Sequence, residues 1–292
     1  MIKSLVKKSR FYPVIHRFYS RTMWWTYILS DLAHTYVFKS KIEAATPFGF
    51  NLVSRNYVAN RMMLKGAFEQ GELDIFTRCL RTADVFIDIG ANIGYYTCIA
   101  RSLSKGAVAV EPQPQNLECL YENLRCNGWS DTEVYPLGLS DKPGLLTLYG
   151  ASGPSASLVR GWAGYSDRFK RTIPVTRMDH VIGGRFEGKK LFIKIDVEGA
   201  EYNVLKGADK VLTLSPRPTW FVEICLNQYH PGALNPNYAD TFDLFWQHDY
   251  EVRLANPEYR LITPADIRKW IADGQTDTNE VNYLFVPKGL ND

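Results

Sequence analysis

The sequence predicts an α/β fold: a Rossmann-like parallel sheet with helices on both faces and a helical extension at the N-terminus. Three observations predict it. From residue 84 onward, short apolar runs alternate with helix-length patterns of about 10–15 residues, the arrangement of βαβ units. The runs VFI, AVAV and LFI are continuous rather than alternating, as suits strands buried on both faces. The stretch VFIDIGANIGYYTCIA, residues 85–100, carries a strand into an aspartate and two glycines before a helical pattern resumes. That is how such folds bring backbone N–H groups close to a ligand.

Taken in order, residues 1–45 read as one helical unit and residues 46–292 as the main domain. Pro13 suits a first helical turn, and Val14, Phe18, Trp25, Ile28, Leu29 and Leu32 follow at three- and four-residue spacings. Two readings stand for this aromatic helix. It packs on its own domain or on a second copy of the chain as a homodimer, or it lies on a membrane surface through residues 1–36. Strand signals in FGFNLVS and a helix over 69–81 follow. Strand VFIDIG leads to a helix over 93–103, and strand AVAVEP to a helix over 114–126. The run TEVYPLGL (132–139) reads as one strand. KPGLLTLYG and TIPVTRMD read as two more, around a Gly/Ser-rich loop over 150–164. KLFIKID leads to a helix over 199–212, TWFVEIC is a strand, residues 238–248 a helix, and YEVRLAN and VNYLFVP the closing strands.

Composition bounds the function. The apolar fraction of 46% and charged fraction of 22% belong to a globular chain with a sizeable core. The net charge of +3 gives no reason to expect nucleic acid as a partner. Residues 1–22 hold six basic and no acidic side chains, so the other 270 sum to −3. Five cysteines without a CxxC pair point to a reduced setting. No apolar run approaches the roughly 20 residues that span a bilayer. No small-x-small cleavage site follows the basic start. The expectation is a cytoplasmic, unprocessed chain, peripheral at the inner face of a membrane if the first helix binds lipid.

The turn narrows the ligand. Its glycine spacing is G-x-x-x-G, not the G-x-G-x-x-G of dinucleotide binding, and no Gly-Lys-Ser/Thr follows, so an NAD-dependent oxidoreductase is disfavoured. Asp88 precedes the turn, and Glu111 ends the next strand, where a carboxylate can accept both ribose hydroxyls. No basic residue stands by to hold phosphates. A nucleoside carrying a cation and no phosphate fits, namely S-adenosylmethionine.

VFIDIGANIGYYT, VEPQPQN, YPLGLSD and IKIDVEGAEYNVLKGA together resemble the FkbM-type methyltransferases, a branch of the class I S-adenosylmethionine-dependent enzymes, over residues 64–224. The resemblance implies a seven-stranded sheet with its last strand antiparallel. It implies that Asp88, Gly90, Asn92 and Gly94 contact the methionine part of the cofactor and that Glu111 holds the ribose, with Pro112 turning the chain away. It places the loop from Leu139 through Ser140 to Asp141 beside the adenine. It also implies methylation of a hydroxyl on a sugar of a glycan, glycolipid or related glycoside. The alternative is a non-catalytic cofactor- or glycan-binding protein on the same scaffold.

Methyl transfer is an in-line displacement that needs an aligned hydroxyl and a late proton acceptor. Asp196, at the edge where KLFIKID ends, is the first candidate, with Glu198 and Glu223 as helpers. Acids in a first helical turn also serve as caps, the preferred reading for Glu201. Asp196, Glu198 and Glu201 together could hold a magnesium or calcium ion, and the metal requirement stays open. Tyr95 and Tyr96 either stack near the ligand or pack under the sheet. Glu69 either approaches the cofactor or sits on a helix surface. His230 is either a loop base or simply solvated. Trp162, Tyr165, Ser155 and Ser157 are candidates for an acceptor pocket in the Gly/Ser loop.

Overall fold

The computed structural model describes residues 41–55, 58–150, 156–278 and 280–289. The predicted N-terminal helix, its membrane contact through residues 1–36, and Ser155 lie outside the described residues. The first elements are β1 (Lys41–Ala45), β2 (Asn51–Arg55), α1 (Val58–Leu64) and α2 (Gln70–Thr82). Then come β3 (Val85–Ile89), α3 (Tyr95–Ser102), β4 (Gly106–Val110), α4 (Pro114–Cys126) and β5 (Glu133–Tyr135). The chain continues through β6 (Gly138–Leu139), β7 (Gly144–Tyr149), β8 (Lys170–Thr176), α5 (Met178–Val181), β9 (Leu191–Ile195) and α6 (Glu201–Lys206). It closes with β10 (Thr219–Glu223), α7 (Tyr238–Gln247), β11 (Tyr250–Leu254), β12 (Leu261–Ile262), α8 (Pro264–Asp273) and β13 (Asn282–Pro287).

The main sheet runs β5-β4-β3-β9-β10-β13-β11-β12. β3, β4, β5, β9 and β10 run parallel to one another, and β13 pairs antiparallel with both β10 and β11. These are the seven expected strands and the expected antiparallel last one, extended at one edge by the two-residue β12. The chain moves outward from β3 to β4 and β5, then returns to β9 on the other side. The order therefore reverses between β3 and β9, where an open sheet leaves a crevice at its carboxyl edge.

The continuous apolar runs are explained by burial on both faces. In β3, Phe86 packs with Phe76 of α2 and with Phe192 and Phe221 of β9 and β10, at ring distances of 5.3, 5.0 and 5.8 Å from the Phe76 centroid. Ile87 and Ile89 point the other way, into a core with Ile193, Ile195, Val222 and Val204 of α6. Each such side chain contributes about 1.5–3 kcal/mol on burial.

Four features differ from the sequence expectation. Residues 41–45 are not part of a helical unit; they pair with β2, so this hairpin straddles the expected boundary at residue 45. The run 132–139 splits into β5 in the main sheet and β6 in a second sheet, β6-β8-β7, because Leu137 N–H turns back onto the Tyr135 carbonyl. The helix expected over 199–212 ends at Lys206. A Cβ on Gly207 would lie 2.3 Å from the Ser140 carbonyl oxygen, and Asp179 Oδ1 accepts from Lys210 and Val211 N–H at 3.0 and 3.3 Å, so a separate turn begins. Helix α8 was not anticipated, although Thr263 and Asp266 form a capping box with Pro264 in the first turn.

The β1–β2 hairpin is tied to the domain by one fully buried side chain. Asn123 of α4 donates to the carbonyls of Val53 and Ile93 at 2.9 and 2.7 Å and accepts from Val53 N–H. Asn123→Leu leaves these backbone groups without partners, at about 1–3 kcal/mol for each. The expected result is a fall in Tm of several degrees, with proteolysis beginning in the hairpin; an unchanged Tm would show that the hairpin is held elsewhere.

Candidate active site

A cavity of about 250 Å³ opens at the carboxyl ends of β3, β4, β9 and β10. On its cofactor side, Gly90 has φ +81, and a Cβ there would lie 1.8 Å from the Asp196 carbonyl oxygen, so only glycine lets the first turn close on the end of β9. Asn92 holds φ +53, which turns its N–H onto Glu111 Oε2 at 2.8 Å. Gln113 N–H and Asn116 Nδ2 reach Oε1 of the same carboxylate at 2.8 and 3.3 Å. Burial pushes the Glu111 carboxyl up to about 7, against the pull of these three donors. Pro112, Leu139 and Tyr95 also line the cavity. Tyr95 is buried and its hydroxyl has no hydrogen-bond partner among the described residues, which leaves it a group for a ligand to satisfy.

Three of the expected cofactor contacts stand behind the cavity wall rather than on it. Gly94 presses α3 onto α4, since a Cβ there would lie 2.3 Å from Leu120. The Ser140 hydroxyl donates to Asp141 at 3.2 Å. Asp88 lies beneath the turn, 1% exposed, and accepts from the Thr97 hydroxyl. Burial pushes its carboxyl above the ordinary range, and nearby Lys194 opposes that.

On the reaction side, Asp196, Glu198, Glu223 and Glu69 all line the cavity, as does Lys194. Strand alternation sets Lys194 and Asp196 on one face of β9, with Nζ 2.7 Å from Asp196 Oδ2 and 4.8 Å above the Tyr96 ring. Burial pulls the Lys194 ammonium down, but Asp196, Asp88 and Glu69 outweigh it and raise it above its ordinary value. Burial, then the charge of Asp196, pushes Glu198 and Glu223 well above the ordinary carboxylate range. Glu69 is raised by burial and accepts from the Tyr96 hydroxyl, so it belongs to the site and not to a helix surface.

Glu201 takes the capping role: its Oε1 accepts from Gly199 N–H at 2.9 Å. Among the described residues, no group of three His, Cys, Asp or Glu side chains is arranged to hold a metal ion. Tyr96 is buried in the core. The His230 ring faces Trp162 at 5.8 Å, away from the residues that line the cavity. Trp162, expected to stack on an acceptor, is 1% exposed and has no free face. Ser157 donates to the Glu198 carbonyl. Sequence reasoning missed Met63, Phe68 and Tyr229 on the cavity wall. No periodicity marks Tyr229, which sits in an irregular loop.

A ribose held by Glu111 would be bound most strongly by the charged carboxylate, so protonation weakens the bond. S-adenosylmethionine affinity is therefore expected to fall as pH is lowered through about 7. Glu111→Gln should weaken it by about tenfold or more and flatten that part of the profile. Calorimetric titration across pH 6–8 checks this; an affinity indifferent to the substitution would move the ribose elsewhere.

The model of the methyltransferase FkbM domain matches residues 88–252, more than half of the chain. The hexuronic acid methyltransferase AglP of Haloferax volcanii is 34% identical over 149 residues; the match covers 49% of this chain and 59% of that protein's length. Among solved structures, the O-methyltransferase TomG of Streptomyces achromogenes overlays with a TM-score of 0.43 at 15% identity, covering 75% of this chain and 80% of that one. An O-methyltransferase of Bacillus cereus overlays with a TM-score of 0.42 at 11% identity, covering 74% and 79%. The cavity offers a hydrogen-bond acceptor in Glu111, a closely approaching backbone at Gly90 and a cluster of carboxyl groups at Glu69, Asp196, Glu198 and Glu223. The chain belongs to the FkbM methyltransferase family.

Proposed function

We propose that the enzyme methylates a hydroxyl oxygen of a sugar in a glycan, glycolipid or related glycoside. The observation that carries this reading is the charge at the reaction side of the cavity. Glu69, Asp196, Glu198 and Glu223 surround a single ammonium, Lys194, which is already bonded to Asp196. An anionic acceptor atom would find four carboxyl groups there and, among the described residues, one ammonium that is already paired. A neutral hydroxyl instead brings a proton that a carboxylate can take. The sugar reading draws support from the relative named as a hexuronic acid methyltransferase.

S-Adenosylmethionine supplies a methyl group on a positively charged sulfur. Asp196, fixed by Lys194, would orient the acceptor hydroxyl and take up its proton late in the transfer, while the donor would depart as a neutral thioether. Burial favours the neutral forms of Glu198 and Glu223, and a positively charged donor bound beside them would draw them back toward ionisation. This cluster favours the cationic donor over the neutral product in a site with little water to screen it. The basic segment over residues 1–22 would draw the enzyme to an anionic membrane carrying a lipid-linked acceptor. Among the described residues no helix is long and apolar enough to cross a membrane.

Incubation with S-adenosylmethionine and a panel of uronic-acid and neutral glycans tests the reading. The expected product is a methyl ether that survives mild alkali; an alkali-labile methyl ester would refute hydroxyl transfer, and no transfer to any glycan would refute the sugar. Asp196→Asn is expected to lower kcat by about 10²–10⁴-fold, far more than it changes cofactor affinity. Co-sedimentation with anionic vesicles, lost in high salt and on deleting residues 1–22, checks the membrane contact; equal binding to neutral vesicles would count against it.

A further inference from the structure

Three loops meet at one side chain beside the cavity. Trp162, in the connection between β7 and β8, is 1% exposed, and its indole N–H donates to Glu198 Oε2 at 2.7 Å. Its ring fills the space over Gly199, where a Cβ would lie 2.4 Å from it. Ser157, from the same connection, donates to the Glu198 carbonyl. Glu198 itself holds φ +57, a conformation unusual outside glycine, so this turn stands strained between the two contacts. On its other side Trp162 lies 6.2 Å from the ring of Tyr229, and Ala163 N–H donates to the Tyr229 carbonyl at 2.7 Å. Tyr229 also holds a left-handed φ, +62, lines the cavity and is 52% exposed.

We infer that Trp162 is the positioning residue of the acceptor side: it aims the Glu198 carboxylate at the acceptor and backs Tyr229 as the platform on which the acceptor sugar lies. The platform half rests on the proposed sugar acceptor. The physical grounds are these. An exposed aromatic ring at a cavity mouth offers its negative face to the C–H edge of a pyranose, and such a ring works best when it cannot swing away. Trp162 and the Ala163 N–H remove that freedom. A carboxylate in a left-handed turn has several rotamers open to it, and the indole N–H selects one. The two jobs are coupled because one buried ring does both.

Trp162→Phe keeps a smaller aromatic ring between the loops and removes the N–H. With a sugar acceptor, kcat should fall about tenfold or more while cofactor affinity holds. Loss of the N–H withdraws a stabiliser of ionised Glu198, so the acid limb of the kcat profile should move to higher pH. Asp196 and Glu201 from the same turn, Glu223 from β10 and Lys194 from β9 face the same carboxylate, and their contributions are unchanged by the substitution. Tyr229→Ala should raise acceptor KM with cofactor affinity held. One readout needs no acceptor: of the seven tryptophan indole N–H signals in an NMR spectrum, the one lost in Trp162→Phe should move with pH and stop moving in Glu198→Gln. A signal that ignores pH, or a kcat and acid limb unchanged in Trp162→Phe, overturns the inference about Glu198. An acceptor KM unchanged in Tyr229→Ala overturns the platform. Failure of the wild-type enzyme to methylate any sugar overturns the sugar reading and the platform with it, while the indole titration still decides the Glu198 half.

Discussion

The ammonium of Lys194 holds the carboxyl edge of the sheet together. It sits in register with Asp88 of the neighbouring strand, bonds to Asp196 two residues along its own strand, and lies over the ring of Tyr96, whose hydroxyl in turn donates to Glu69. The first strand, the fourth parallel strand and the segment leading into α2 are thereby tied at one point. Without a cation there, Asp88, Asp196 and Glu69 would repel one another, and burial would neutralise them by protonation. With it, ionisation of these carboxyl groups is favoured against burial, yet the site remains short of cations. That shortfall suits a ligand bringing its own positive charge, and it explains why carboxylates accumulate at an edge lined by apolar strands.

Much of this was legible in the chain because the relevant signals are local. A strand buried on both faces must be continuously apolar, so the order of strands and helices could be read directly. Asp196 and Glu223 end adjacent parallel strands, and Glu111 ends another, so an expectation of where strands stop is an expectation of where these side chains meet. What stayed hidden depends on distant partners. The apolar pattern of TEVYPLGL runs on through Pro136, and only the pairing of Gly138 with Val175 shows that the chain has changed sheets. Gly90 and Gly94 look alike in sequence, but one makes room for a neighbouring strand's carbonyl and the other for Leu120. An aromatic residue in a Gly/Ser loop carries no period, so nothing announced that Trp162 turns inward while Tyr229 turns outward.

The short second sheet also shapes the cavity. Leu139, Leu148 and Ile173, from β6, β7 and β8, line it opposite the turn that follows β3. Their strands make no ladder with the main sheet, whose hydrogen bonds fix Glu111, Asp196 and Glu223. One wall is thus borrowed from a unit that can shift or be rebuilt without breaking the register of the acids.

That separation bears on how such an enzyme diversifies. The connection between β7 and β8 leaves from the second sheet and reaches across to the turn holding Glu198; beyond the bridge between Ser157 and Tyr149, its described residues pair with no strand. Loop closure grows costlier only slowly with length. Insertions or exchanges there can remodel the cavity mouth at small thermodynamic cost while the half that grips the methyl donor is inherited intact. Descendants of one scaffold can therefore change what they recognise without relearning how they react.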